Sequence, residues 1–184
     1  MRILSVVLSV LFAASAHAQE SYGMIGGGRA TDGPSVRLAG GLKRGPVTPS
    51  VRLTVGGGEV DHPNPSRDAP YTRGRVEFGV GIARVQPVAG PFLVEGQVGV
   101  AYALAAGDEE EETQPFFDFP DLAFGLVAPV EATALVRLGS RLDLGLTVSR
   151  SFTIAHASSE DDPNLRASVP SLQQTALTVG LRFH

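Results

Sequence analysis

The stretch from Phe92 to Leu104 reads FLVEGQVGVAYAL, and apolar residues recur in it at nearly every second position. An amphipathic helix would place its apolar residues three and four apart, whereas alternation places them on one face of a strand. The stretch therefore predicts a β-strand with one apolar face. That face holds Phe92, Val94, Val98, Val100, Tyr102 and Leu104, and the other face holds Glu95, Gln97, Gly99, Ala101 and Ala103.

The same alternation appears in seven further segments, and the 22 glycines and 13 prolines of the chain favour turns and strands over helices. The sequence therefore predicts an all-β fold of eight strands. The predicted strands are Ser21–Arg29, Ser35–Lys43, Ser50–Glu59, Arg73–Val85, Phe92–Leu104, Phe119–Leu138, Arg141–Ala155 and Leu172–Phe183.

The predicted connections alternate in length along the chain. Three are short: Arg44–Pro49, Gln86–Pro91 and Gly139-Ser140. Three others are long, polar and acidic: Val60–Thr72, Ala105–Asp118 and His156–Ser171. Short turns on one side and long loops on the other are typical of outer-membrane barrels. The first hairpin, Ala30–Pro34, departs from this rule because it is short on the long-loop side.

The first residues of the chain have the features of an export signal. Arg2 precedes the apolar run Ile3–Ala14, and Ala16-His17-Ala18 is typical of a cleavage site. A helix of about 12 residues is too short to cross the roughly 30 Å of bilayer hydrocarbon. We therefore expect residues 1–18 to be a cleaved signal peptide and residues 19–184 to form one barrel domain.

Composition and motifs exclude several classes of function. The chain has no cysteine, so thiol chemistry and disulfides are absent, and its net charge of −4 argues against a nucleic-acid partner. Neither Gly26-Gly27-Gly28 nor Gly56-Gly57-Gly58 is followed by the Lys-Ser/Thr of a phosphate-binding loop. The acidic run Asp108–Glu112 lacks the alternating ligand spacing of a calcium loop. We expect neither a metal nor a cofactor.

Alternation alone leaves open whether the apolar faces point outward to lipid or inward to a dry core. The polar faces carry mostly Gly, Ala, Ser and Thr, with a few charges whose signs nearly cancel, as is required of charges enclosed in a narrow interior. In hydrocarbon every backbone group must be paired internally, which for strands requires a closed barrel. We therefore predict a barrel interior that contains Arg37, Arg52, Arg75, Glu77, Glu95, Glu131, Arg137, Asp143 and Arg182.

Two segments resemble a known family. The closing segment Thr175–His184, TALTVGLRFH, is similar to the last strand of small outer-membrane barrels. The segment from Phe124-Gly125-Leu126 through Arg141–Leu146 resembles the penultimate hairpin of OmpA-like and OmpX-like barrel domains. In this chain His184 follows the near-terminal aromatic residue, and tryptophan is absent.

The resemblance implies an eight-stranded antiparallel up-and-down transmembrane β-barrel in the outer membrane of a Gram-negative-type bacterium. It implies contact with membrane lipid and lipopolysaccharide, and with the barrel-assembly machinery through the C-terminal strand. An eight-stranded barrel has an interior just filled by side chains, so a general diffusion pore is not expected. We expect a non-enzymatic protein with a structural or interaction role through its exposed loops, whose extracellular partner the sequence does not identify.

Two alternatives remain open. His156-Ala157-Ser158 resembles the His-x-Ser pair of lipid A deacylase barrels, in which a histidine base activates a serine nucleophile. Here Ser159-Glu160 follows where that family has Asn-Ala, and no acidic residue lies between Asp162 and the C-terminus to orient the histidine. The second alternative is a secreted, soluble, lipocalin-like barrel that holds a small ligand in an apolar interior.

Overall fold

The structure, a computed structural model, describes residues 21–42, 47–60, 71–109, 121–158 and 172–184. None of these residues belongs to a helix long and apolar enough to cross a membrane. They form eight strands: β1 Ser21–Ala30, β2 Gly33–Leu42, β3 Thr48–Val60, β4 Tyr71–Ala89, β5 Phe92–Glu109, β6 Asp121–Arg137, β7 Leu142–Ser158 and β8 Gln174–Phe183.

Each strand pairs antiparallel with its neighbours in sequence, and β8 pairs with β1, so the sheet closes into a barrel. The prediction of an all-β, eight-stranded, up-and-down barrel is confirmed. The tight turn between β1 and β2 is followed by Gly33, whose φ of 107° is a conformation that side-chain-bearing residues rarely adopt. Glycine at this position therefore permits the short first hairpin.

The strand registers fix the tilt of the barrel. Moving from Val85 in β4 to its paired residue on β5, and then from strand to strand around the barrel, leads back to β4 at Arg75. Arg75 lies ten residues nearer than Val85 to the end of the barrel that carries the long loops. A displacement of ten residues in eight strands corresponds to a strand tilt of about 40° and a lumen that side chains can fill. This path around the barrel passes through Glu95, Thr133, Thr147, Thr178, Gly28, Ser35 and Gly56.

The structure corrects the predicted end of β5. The strand continues to Glu109, whereas the sequence predicted that it ends at Leu104 and that the loop begins at Ala105. Ala105, Ala106 and Gly107 pair with β6. These small residues carry no alternation of apolar and polar side chains, so the pattern ends before the strand does.

The structure also corrects the predicted turn Gln86–Pro91. β4 continues through a register shift at Pro87 and Ala89, which leaves Gly90-Pro91 as the turn. Proline has no amide hydrogen for the ladder, so it is compatible with a strand at such an irregularity. Gly90 has a φ of 53°, which suits glycine.

Some sequence predictions lie outside the described residues. These are the signal peptide of residues 1–18, residues 61–70 of the first long loop and residues 110–118 of the second, which include part of the acidic run. Residues 159–171 of the third long loop lie outside them as well.

The two faces of the barrel wall differ sharply. In β8 burial alternates without interruption, and Thr178 and Arg182 point inward while Leu177 and Val179 point outward. In β4, Arg75 is 2% exposed and Val80 is 58% exposed. The barrel therefore buries polar and charged side chains and exposes large apolar ones, the reverse of a water-soluble domain.

Candidate functional site

The middle of the lumen is occupied by a cluster of charges from four strands. The Glu131 carboxylate in β6 accepts hydrogen bonds from the guanidinium groups of Arg37 in β2 and Arg52 in β3. Arg52 also forms an ion pair with Glu77 in β4. Oε2 of Glu77 in turn lies 2.5 Å from Nη2 of Arg75. We call these five residues the central cluster. Because its members alternate in sign, each buried charge has a partner of opposite sign.

Neutral polar groups complete the filling of the lumen. The Ser151 hydroxyl donates to the Glu77 carboxylate at 3.0 Å, and Gln97 Nε2 donates to Ser50 Oγ at 2.9 Å. Arg75 Nη1 donates to the backbone oxygen of Leu172 at 2.6 Å. These contacts connect parts of the wall that are not neighbours in the sheet, so the lumen is occupied by side chains that are hydrogen-bonded to one another.

A second group of polar side chains lies at the end of the barrel with the short turns. Arg182 Nη1 donates to Glu95 Oε2 at 2.6 Å, and its guanidinium carbon lies 4.1 Å from the centre of the Tyr22 ring. Asp143, which is fully buried, contacts Nε2 of His184 through Oδ2 at 2.7 Å. The residue after the terminal aromatic thus anchors the chain end to β7.

The loop end of the lumen carries charges that sequence reasoning did not assign to the interior. Asp32, in the turn after β1, is buried and lies 3.0 Å from Arg73 Nη1, and it accepts a hydrogen bond from Gln174 at 3.2 Å. Arg73 is the first residue of a predicted strand and lies two residues before Arg75, so the two face the same side of the strand. That spacing was the one sequence signal that could have assigned Arg73 to the barrel interior. Asp32 lies in a turn, where periodicity gives no facing direction.

Eight of the nine predicted interior charges are buried, with exposures of 4% or less. Arg137 is the exception and corrects the prediction, because its side chain is 53% exposed and its Nε lies 3.7 Å from Asp143 Oδ1. Arg137 belongs to the inward-facing set of alternating residues in β6. It is the last residue of the strand, however, so its long side chain reaches solvent at the rim of the barrel.

His156 lies near the loop end of β7, opposite Gly125 of β6, and it is exposed. Leu126 pairs with Ala155 and Val127 pairs with Thr153, so Ile154 is an extra residue that forms a bulge in β7. Because of this bulge, His156 lies on the inward face of the strand. No carboxylate among the described residues forms an ion pair or hydrogen bond with its ring. The side chain of Ser158 lies outside the described residues, so the geometry of the His-x-Ser pair is not defined.

The described part of the barrel contains no group of three or more His, Asp or Glu side chains that could hold a metal ion. Chemically, the interior is a set of mutually neutralised charges held by the wall.

No model of a known protein family matches the sequence, and no curated protein matches it. Several solved structures are similar to this chain. The chain is similar to Neisserial surface protein A (10% identity over 89% of this chain and 94% of that one, TM-score 0.59). It is also similar to a major outer membrane protein from Thermus thermophilus (12% identity, 90% and 99% coverage, TM-score 0.56). A third similar structure is the N-terminal β-barrel domain of Pseudomonas aeruginosa OprF (9% identity, 91% and 98% coverage, TM-score 0.51). The chain therefore has the fold of small outer-membrane barrels.

Proposed function

We propose that this protein is an integral outer-membrane β-barrel with a filled lumen, which has a structural or interaction role through the loops that extend from one end. The observation that carries the proposal is the inverted wall, with charges buried inside and large apolar side chains exposed outside. Water would penalise that exterior, whereas lipid hydrocarbon accommodates it.

The height of the apolar exterior supports embedding in a membrane. On β7 the exposed apolar side chains extend from Leu144 to Ile154, with Arg150 as the one outward charge among them. At about 3.3 Å per residue and a tilt of about 40°, that run covers about 25 Å along the barrel axis, the height of the lipid-facing band of outer-membrane barrels.

The contents of the lumen argue against the lipocalin-like alternative and against a general pore. A soluble calyx needs an apolar cavity for its ligand, whereas the middle of this lumen holds Arg37, Arg52 and Glu131. The same ion pairs link β2, β3 and β6 across the path that a diffusing solute would take. A role through the loops is therefore better supported than transport through the barrel.

The C-terminal strand and the lipid-facing wall supply the proposed partners. β8 presents an uninterrupted alternating strand that closes against β1, and we propose it as the contact with the barrel-assembly machinery. The apolar exterior is the proposed contact with outer-membrane lipid and lipopolysaccharide.

Extraction of membranes from cells that express the protein tests the proposal. We expect the protein to remain in the pellet after carbonate or high-salt treatment, because its exterior is apolar, and to be solubilised by detergent. A folded barrel should also migrate differently in electrophoresis before and after boiling. A soluble periplasmic protein serves as the released control. Release of this chain as a monodisperse soluble protein would contradict the proposal and favour the calyx.

For the deacylase alternative we expect no activity. His156 has no carboxylate partner among the described residues that would orient it as a base. Lipid A from expressing cells should keep all its acyl chains when analysed by mass spectrometry. Loss of one chain that is abolished separately by His156→Ala and by Ser158→Ala would establish the enzyme and refute this expectation.

A further inference from the structure

The outer wall of the barrel carries very few charges. Among the described strand side chains, the outward-facing charged residues are Arg29 in β1, Glu59 in β3, Arg84 in β4 and Arg150 in β7. Glu59 lies beyond the apolar band toward the loops, and Arg84 lies near the short turns. Arg29 and Arg150 remain, and they lie on the two strands that flank β8.

The register places these two arginines at one height. Arg150 pairs with Thr175 of β8, and Arg29 pairs with Leu177, two residues further along the same strand. Because the strands tilt by about 40°, this offset brings the two Cα atoms within about 2 Å of the same height, about 12 Å apart across β8.

On β8 and β1 that height is where the apolar exterior ends, whereas on β7 Phe152 and Ile154 extend it further toward the loops. The outward residues of β8 are apolar from Leu177 to Phe183, and the next outward residue toward the loops is Thr175. The apolar run on β8 covers about 15 Å along the axis, compared with about 25 Å on β7. Lipid headgroups therefore come closer to the middle of the barrel beside β8 than they do where Phe152 and Ile154 extend the apolar exterior of β7.

Neither arginine is neutralised within the described structure. No described carboxylate forms an ion pair with Arg29 or Arg150, although the interior arginines are all paired. The Arg150 guanidinium carbon lies 5.1 Å from the ring centre of Phe152, the next outward residue toward the loops. The side chain is thus directed along the wall toward the headgroup region, as long cationic side chains are at a membrane interface.

We propose that Arg29 and Arg150, on either side of β8, bind phosphate groups of an anionic lipid in the leaflet on the loop side of the membrane. A planar guanidinium donates two parallel hydrogen bonds to a phosphate, and the position at the edge of hydrocarbon strengthens that attraction. Two guanidinium groups about 12 Å apart can each bind one phosphate of a headgroup that carries two. The inference rests on the proposed membrane location.

The test measures lipid retention by the folded barrel in neutral detergent, with diphosphoryl lipid A and its dephosphorylated form as probes and native mass spectrometry as the readout. We expect wild type to prefer the phosphorylated probe. Arg29→Gln and Arg150→Gln should each weaken that binding about fivefold, and the double variant about 25-fold, because each basic residue near a lipid surface contributes separately. The matched control is Arg84→Gln, which removes an outward arginine near the other leaflet and should change little.

Equal binding of both probes by wild type would overturn the inference, and so would an equal loss of binding in Arg84→Gln and in the double variant. Insertion of every variant into phosphatidylcholine vesicles, followed by its altered migration before boiling, reports embedding independently of the phosphate. If the variants insert and retain the phosphorylated probe as wild type does, the arginine site is refuted and the membrane location stands. If wild type does not insert, both are refuted.

Discussion

We expect Glu131→Ala to lower the free energy of unfolding by about 3–5 kcal/mol, the usual cost of removing one partner from a buried ion pair. Glu131 accepts hydrogen bonds from both Arg37 and Arg52, and all three are buried. Its removal leaves Arg37 without a carboxylate partner in the central cluster, whereas Arg52 keeps Glu77. Urea unfolding in lipid vesicles or detergent, followed by the loss of strand signal, measures the change.

Three variants calibrate this effect. Glu131→Gln keeps the shape and one acceptor oxygen, so its loss should be smaller than that of alanine. Arg137→Ala removes a half-exposed rim charge and should cost less than about 1 kcal/mol. Val80→Ala removes outward apolar surface that lipid can replace and should also cost little. Equal, small losses for Glu131→Ala and Val80→Ala would mean that the central cluster is hydrated, against the enclosed interior described above.

The second large effect concerns the seam where the barrel closes. A Cβ atom added to Gly28 in β1 would lie 2.0 Å from the backbone oxygen of Leu177 and 2.7 Å from the Cα of Thr178 in β8. Because both contacts are with backbone, the strands themselves must separate. Overpacking in a closed core typically costs about 1–3 kcal/mol, and we expect Gly28→Ala to reach or exceed the upper value because no side chain can move aside.

Gly27→Ala is the matched control, since Gly27 is the adjacent residue and a Cβ there meets nothing closer than the backbone oxygen of Ser35 at 3.9 Å. The yield of the folded, heat-modifiable form and its unfolding midpoint are the measurements. Gly27→Ala should resemble wild type. If Gly28→Ala folds with an unchanged midpoint, the β1–β8 seam is looser than its pairing indicates.

The periodicity of the sequence was sufficient to predict the strands and to sort their residues into two faces. Alternation in Phe92–Leu104 and Leu172–Phe183 placed every second residue on one face, and the small and charged residues of the polar faces assigned those faces to the lumen. It was insufficient wherever regularity ends. The bulge at Ile154 shifts the parity of His156, and no pattern in the sequence marks that extra residue.

The membership of the interior could be predicted, but its pairing could not. Arg75 and Glu77 are two residues apart on one strand, so their proximity follows from the sequence. That Glu131 meets Arg37 and Arg52 depends on the ten-residue displacement around the barrel, which only the complete set of registers determines. Arg137 shows a further limit, because parity gives the direction of a side chain but not its depth.

The pairing of the interior charges also constrains the order of events during folding. Arg37 and Glu131 are 94 residues apart, Arg52 and Glu131 are 79 apart, and Arg182 and Glu95 are 87 apart. Contacts of such long range form late, because the loops between the partners must first be closed. A half-built, open sheet in hydrocarbon would expose unpaired arginines and glutamates to lipid. Insertion and closure should therefore occur as a single cooperative step, in which the last strand to join β1 completes the neutralisation of the whole interior.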